Sequence, residues 1–143
     1  MKKYKLYTIG YEKRDIEEFI EILKANNIDL LLDIRERAWS YKKDFCKTRL
    51  GNKLKRKGIQ YIHIREAGNP KEYRQKANTI HECLLLYKEY LKRTESGLSE
   101  IKSVVANNGF NNVCLMCFER DSELCHRSIL VKKIKNIKDV NHL

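Results

Sequence analysis

An almost unbroken apolar run at residues 28–34 is the feature that most narrows the folds open to this chain. A strand that is apolar on both sides is typical of a parallel sheet covered by helices on both faces, because a half-exposed strand would alternate polar and apolar residues. Four shorter runs have strand character and end at turn or polar residues: 6–10, 59–64, 113–118 and 140–143.

Helical periodicity separates these strands. In residues 15–26 the apolar side chains recur three and four positions apart, and similar patterns start at residues 47, 79, 98 and 125, the last extending to about residue 136. Strands that alternate with helices form right-handed crossovers in a mainly parallel sheet. We therefore predict a single three-layer α/β domain over residues 1–143, with four or five strands and helices on both faces.

The net charge and the cysteine content bear on the binding partner and on the cellular location of the protein. The chain carries a net charge of +11, which is typical of proteins with an anionic partner and equally of surfaces solvated by lysine. No apolar run approaches the 18 or so residues of a membrane span, and the apolar stretch that follows the N-terminal lysines is shorter than we expect for a signal peptide. An odd count of five scattered cysteines favours reduced thiols. These features predict a cytoplasmic protein that does not bind membranes, and they leave the oligomeric state open.

Polar residues follow four of the predicted strands, where each strand ends. They are Thr8 and Gly10, Asp33 and Arg35, His63 and Arg65, and Cys117 and Glu119. The carboxyl ends of parallel strands lie at one edge of a sheet, where α/β proteins bind ligands. We expect Asp33, Arg35, Glu119 and Arg127 to line one cavity there. The alternative for Asp33 and Arg35 is a buried ion pair that steadies the sheet edge.

The densest set of reactive groups is Cys117, Glu119, Cys125, His126 and Arg127. Glu119 or His126 would act as general acid or base, and Cys117 or Cys125 as nucleophile. Cys125 is expected to be the more reactive thiol, because a helix N-terminus lowers thiol pKa values. Cys117 could instead be a buried core residue. Arg35 and Arg127 would hold an anionic small molecule that carries phosphate, such as a nucleotide.

Other chemistries are less well supported by the residues. Cys114 and Cys117 would point to opposite faces of a strand, which argues against a zinc ribbon. A metal site made of Cys117, Cys125 and His126 is an alternative, but we expect no metal and no cofactor. The sequence has no Gly-rich phosphate loop or dinucleotide fingerprint, and Val131 stands where a cysteine phosphatase following Cys125 would have its arginine.

A basic segment at residues 42–57 supports a second hypothesis. Eight lysines and arginines follow Trp39 and Tyr41 and surround Phe45. Basic residues interleaved with aromatic ones suit single-stranded nucleic acid, although a solvated helix face has the same composition. The alternative function is therefore a non-catalytic nucleic-acid-binding module.

Several motifs together resemble a family known as domain of unknown function 488, over the whole chain. They are Thr8-Ile9-Gly10-Tyr11-Glu12, Asp33-Ile34-Arg35, Ser40, Phe45, Lys47, Gly58-Ile59-Gln60-Tyr61, His63, Glu66-Ala67-Gly68, Cys117-x-Glu119 and Cys125-His126-Arg127. The resemblance implies a compact α/β domain and a polar site built from these residues, which adds Tyr11 and Ser40 to the binding candidates Thr8, Gly10 and His63. It implies no particular reaction.

Two departures from the family pattern fall near the expected site. Arg37-Ala38-Trp39 occupies the place of a proline turn after the second strand, and Lys13 stands where a glycine often follows Tyr-Glu. The loop after the second strand is therefore expected to have a different shape in this chain.

Overall fold

The computed structural model describes residues 3–134 and 139–143, which form one α/β domain. Its strands are β1 (Lys5–Gly10), β2 (Leu30–Asp33), β3 (Gln60–His63), β4 (Asn112–Cys117) and β5 (Val140–His142). Its α-helices are α1 (Ile16–Ala25), α2 (Lys47–Arg56), α3 (Lys71–Gln75), α4 (Ile80–Arg93), α5 (Ser96–Asn108) and α6 (Arg127–Ile134). The end of the last predicted helix, residues 135 and 136, lies outside the described residues.

The five strands form one parallel sheet in the order β3-β2-β4-β1-β5. β4 lies at the centre of the sheet and pairs with both β2 and β1. The three strands β2, β4 and β1 therefore have a hydrogen-bonded neighbour at each edge. This arrangement confirms the predicted fold class.

Helices cover both faces of the sheet. α1 and α2 pack on one face through Phe19, Leu23, Leu50 and Leu54, all fully buried. α4, α5 and α6 pack on the other face, where Tyr87 and other apolar side chains form a second core. Cys114 belongs to the first core and Cys117 to the second, because side chains three apart on a strand point to opposite faces.

Two helix starts differ from the prediction. The pattern predicted to start at residue 98 begins two residues earlier, because α5 starts at Ser96. Gly97 in its first turn lies so close to Glu66 and Ala67 that a Cβ would approach the backbone of both within 2.6 Å. α6 begins at Arg127 rather than at Cys125, whose backbone is extended. In the described part of the chain, no helix has the length and apolarity that crossing a bilayer requires.

Candidate functional site

A cavity of about 460 Å³ opens at the carboxyl edge of the sheet, beyond the ends of β1, β2 and β4. β4 continues into α6 on one face, whereas β1 and β2 continue into α1 and α2 on the other. Chain connections that diverge in this way leave a crevice between neighbouring strands. The cavity is lined by Tyr11, Arg35, Glu36, Arg37, Trp39, Asn69, Lys71, Arg74, Ile80, Cys83, Leu84, Cys117, Phe118, Glu119, Leu124 and His126.

Asp33 and Arg35 form a buried, two-pronged ion pair at the end of β2. Arg35 donates through Nε to Oδ1 at 2.8 Å and through Nη2 to Oδ2 at 2.6 Å, while the Tyr61 hydroxyl donates to Oδ2 at 2.5 Å. Burial acts against the charge of Arg35, but the hydrogen bonds and charge of Asp33 raise its pKa. Burial, followed by Asp33, raises the pKa of Tyr61. The ion pair therefore steadies the sheet edge, and Arg35 also lines the cavity.

Arg127 lies beneath the cavity and is completely buried. Its Nε donates to the Thr8 hydroxyl at 3.1 Å, its Nη1 to the carbonyl of Glu119 and its Nη2 to the carbonyl of Arg120 at 3.0 Å. Burial lowers the pKa of this guanidinium. Arg127 therefore links the loop after β4 to β1. The sequence had predicted that Arg127 and Asp33 would line the cavity, but neither side chain does.

Glu119 enters the cavity from the loop that follows β4. Gly10 permits this path, because a Cβ at that position would lie 1.7 Å from the Glu119 carbonyl oxygen. The Glu119 Oε2 atom lies 3.7 Å from Cys117 Sγ, and burial raises the pKa of the carboxyl group. Glu119 and Arg35 thus line one cavity, as predicted.

Cys117 and Cys125 form a disulfide, which corrects the expectation of five reduced thiols. The chain turns back at the 3₁₀ turn Ser122–Leu124, and this turn brings the two sulfurs together. The side chain of Asp121 caps the turn by accepting from the backbone N–H of Glu123. Each residue is only 1% exposed. Cys125 is therefore no more accessible to a reagent than Cys117, and exposure does not support the predicted higher reactivity of Cys125. Cys46, Cys83 and Cys114 are free.

His126 lies between the disulfide and the end of β2. Its Nε2 is 2.9 Å from the carbonyl oxygen of Ile34, and its Nδ1 is 3.7 Å from Cys125 Sγ. A carbonyl only accepts hydrogen bonds, so Nε2 carries the proton and Nδ1 has a free lone pair. Burial lowers the pKa of His126 to about 4, which favours the neutral ring. A ring nitrogen of His126, Cys117 Sγ and Cys125 Sγ lie within 4.8 Å of one another, so the three residues could hold a metal ion. Nδ1 is the nitrogen with a free lone pair, and it lies beside Cys125 Sγ.

Three further predicted binding residues, Thr8, Ser40 and His63, bond to other parts of the chain and do not line this cavity. Thr8 is fully buried, accepts from Arg127 and contacts His142 Nδ1 at 2.5 Å. The Ser40 hydroxyl accepts from the backbone N–H of Lys42. His63 Nε2 lies 2.7 Å from the Arg35 carbonyl oxygen. Of the residues that the family resemblance adds, Tyr11 lines the cavity.

Most of the cavity wall comes from residues that the sequence reasoning did not select as site residues. Glu36, Arg37 and Trp39 follow β2 directly, and Asn69, Lys71 and Arg74 come from the loop before α3 and from α3 itself. Arg74 Nη2 donates to Glu36 Oε1 at 2.9 Å, which joins these two segments. The departure from the family pattern at Arg37-Ala38-Trp39 was the available signal, since it places a cation and an indole directly after a strand end.

Comparison with known proteins yields one match. A family model described as Domain of unknown function DUF488 matches residues 15–134. Searches of curated proteins and of solved structures found no match.

Proposed function

The chain belongs to the DUF488 family, whose description assigns no reaction, and we propose from the cavity that it binds a phosphate-bearing organic anion of the nucleotide type. The shape and lining of the cavity support this proposal. Ligand cavities in proteins combine apolar walls with a few polar groups that fix orientation.

The observation that carries the proposal is where the exposed apolar side chains lie. The described chain has six large hydrophobic side chains that are exposed, and four of them line this cavity: Trp39, Ile80, Phe118 and Leu124. Tyr41 packs edge-on against Trp39, with ring centroids 4.7 Å apart. Exposed apolar groups that gather at one cavity are typical of a ligand site, whereas scattered ones need no explanation. Aromatic rings on its walls suit a flat ring such as a nucleobase.

Cations surround this apolar wall. Arg37, Lys71 and Arg74 line the cavity and are exposed to solvent. Arg74 pairs with Glu36, whereas Arg35 is committed to Asp33. Arginine and lysine beside an aromatic wall complement a ligand that carries both a ring and a phosphate group.

Asn69 supplies a polar contact inside the cavity. Only 7% of it is exposed, its Nδ2 donates to Cys83 Sγ at 3.2 Å, and its Oδ1 has no hydrogen-bond partner. A buried acceptor without a partner costs about 1–3 kcal/mol, which a donor on a ligand would recover. Ring amino or imino groups of nucleobases are donors of this kind.

The only tryptophan of the chain, Trp39, gives a direct test. We expect the four ribonucleoside monophosphates, titrated separately, to include at least one that saturably quenches Trp39 fluorescence. The corresponding nucleoside and inorganic phosphate should each bind at least about tenfold more weakly, because each lacks one half of the contacts. Added salt should weaken the binding.

The controls separate the two halves of the site. Lys71→Ala should weaken binding several-fold, whereas Lys55→Ala, which removes the same charge from α2, should leave it unchanged. Equal binding of the nucleoside would overturn the role of the cations, and equal binding of phosphate would overturn the role of the aromatic wall. Absence of quenching by all four nucleotides would overturn the proposal.

The catalytic part of the hypothesis rests best on Glu119. Its carboxyl group lines the cavity, whereas the sulfurs of Cys117 and Cys125 are bonded to each other and are not available as nucleophiles in this state. Glu119 is the side chain placed to exchange a proton with a bound ligand. Its role is tested by Glu119→Gln, which should retain nucleotide binding and lose any turnover detected with wild-type protein.

Nucleic-acid binding by the basic helix has weaker support. Arg49 and Lys53 both lie within ion-pair distance of Asp44, and Phe45 is buried. The exposed Trp39 and Tyr41 favour a flat base at the cavity mouth, so an oligonucleotide belongs in the same fluorescence assay.

A cytoplasmic location would give the protein access to such anions and is part of the proposal.

A further inference from the structure

The second site that the structure suggests is formed by Cys117, Cys125 and His126. Cys117 is the last residue of β4, Cys125 follows the 3₁₀ turn, and His126 precedes α6. The loop that joins them is fixed by Arg127, which binds two of its carbonyl groups. Three donor atoms of this kind, held by a rigid frame and within 4.8 Å of one another, form a preorganised ligand set.

We propose that the reduced Cys117 and Cys125 thiols, together with His126 Nδ1, bind a divalent metal ion of the zinc class. Two sulfurs and an imidazole nitrogen suit zinc, whereas magnesium and calcium prefer oxygen ligands. The proposal does not depend on nucleotide binding, because it concerns different atoms and has its own spectroscopic readout.

The orientation of His126 supports this assignment. Metal-binding histidines commonly donate their second ring N–H to a carbonyl or carboxylate, which fixes the ring and its tautomer. His126 Nε2 has this partner in the Ile34 carbonyl at 2.9 Å. The edge of the ring also packs against Tyr87, with centroids 4.9 Å apart. The Nδ1 lone pair is thereby directed to the side where the two sulfurs lie.

The surroundings of the sulfurs also fit. The Cα atoms of Cys117 and Cys125 are 7.5 Å apart, wider than the 4.4–6.8 Å or so that is usual for disulfides. Two thiolates on one tetrahedral ion, each about 2.3 Å from the metal, lie roughly 3.8 Å apart, and this backbone spacing accommodates them. Arg127 Nη1 is 3.1 Å from Cys117 Sγ and would compensate the negative charge of a thiolate.

The site would also communicate with the cavity. Three protein ligands leave a fourth position, which in catalytic zinc sites holds water or substrate. Cys117 and His126 both line the cavity, as does Glu119. Because two of its three ligands line the cavity, a bound ion would lie at the cavity wall.

Disulfide and metal exclude each other, because both use the same sulfur atoms. Opening the disulfide needs two electrons and two protons. A phosphine reductant supplies the electrons and becomes phosphine oxide, while water supplies the oxygen atom and the protons. Metal binding then replaces the two thiol protons.

Cobalt titration tests the proposal. Reduced full-length protein under argon should bind one equivalent of Co²⁺ and show both thiolate-to-cobalt charge transfer and the strong visible bands of tetrahedral cobalt, which one equivalent of Zn²⁺ should abolish. Cys117→Ser and His126→Ala should weaken Co²⁺ binding at least about 100-fold, since each removes a ligand. Cys46→Ser removes a thiol outside both the cluster and the cavity and should leave the spectrum unchanged.

Oxidised wild-type protein provides a control that needs no substitution, so a variant that fails to fold does not affect the test. It should show no charge-transfer band. The proposal is overturned if reduced protein gives no such band, if the band persists in both Cys117→Ser and His126→Ala, or if oxidised protein binds cobalt equally well.

Discussion

Two groups of cationic side chains lie at the same edge of the sheet and differ in burial. Arg35 and Arg127 are buried, and their guanidinium groups bind partners within the chain. Arg37, Lys71 and Arg74 lie on the cavity wall with much of each side chain in solvent. We call the first group the frame cations and the second the wall cations. The frame cations have their guanidinium groups buried, whereas each wall cation has much of its side chain in solvent, where a ligand can reach it, although Arg74 also bonds to Glu36 and to the carbonyl of Asn69.

The difference lies in how each side chain is anchored. A buried guanidinium must satisfy its donors within the protein, because an unpaired charge in the interior is very unfavourable. Once Arg127 has bonded to Thr8 and to the loop carbonyls, little of its hydrogen-bonding capacity remains for a ligand. Charge at a strand end is therefore a poor guide to ligand contact unless the partner of that charge is also known.

The largest effect should come from Arg127→Met, which keeps an apolar stem but removes the guanidinium. It leaves the Thr8 hydroxyl and the carbonyls of Glu119 and Arg120 without their donor, so we expect the free energy of unfolding to fall by at least about 3 kcal/mol. Urea denaturation followed by circular dichroism measures this. Arg120→Met, on an exposed side chain, should change stability by less than about 0.5 kcal/mol. Similar losses in both variants would contradict the structural role of Arg127.

Asp33→Asn should have the next largest effect. It leaves the buried Arg35 without its countercharge, and we expect a loss of about 2–4 kcal/mol in the free energy of unfolding. Asp44→Asn is the matched control, because Asp44 pairs with Arg49 and Lys53 at the surface and should contribute less than about 1 kcal/mol. If the two aspartate variants were equally stable in denaturation experiments, the ion pair at the end of β2 would not steady the sheet edge.

Arg74→Ala should affect stability least and ligand affinity most. Its pair with Glu36 is partly exposed, so the free energy of unfolding should change by less than about 1 kcal/mol. The affinity for the nucleotide that quenches Trp39 should nevertheless fall about tenfold. Arg93→Ala breaks a similar exposed pair, with Glu89 on α4, away from the cavity. Equal affinities of these two variants, measured by calorimetry, would remove the distinction between frame and wall.

The fold was predictable because its signals are local. The apolar run at residues 28–34 and the spacing of Ile16, Phe19 and Leu23 follow directly from burial on two faces or on one. The alternation of strands and helices then leaves few topologies, and the parallel sheet is one of them. The short helix α3 was not predicted, since five residues carry too little periodicity to detect.

The site was only partly predictable because its wall is formed by contacts between distant segments. Arg35, Glu119 and His126 follow strand ends or a recognised motif, so their positions could be inferred from the topology. Asn69 and Arg74 reach the cavity only because the chain returns past Glu36 after β3, which no local pattern indicates. The disulfide was missed for the same reason, since it depends on the path of the turn between Cys117 and Cys125.

The central position of β4 determines when the site can exist during synthesis. β1 and β2 are made early, yet they are not neighbours in the sheet, and each pairs with β4. Until residues 112–117 leave the ribosome, both early strands have an unpaired edge, and such edges can pair with other chains. The ion pair of Asp33 and Arg35 needs only β2 and β3. The cavity floor and the cysteine cluster, in contrast, form late, when a strand from the last third of the chain inserts between β1 and β2.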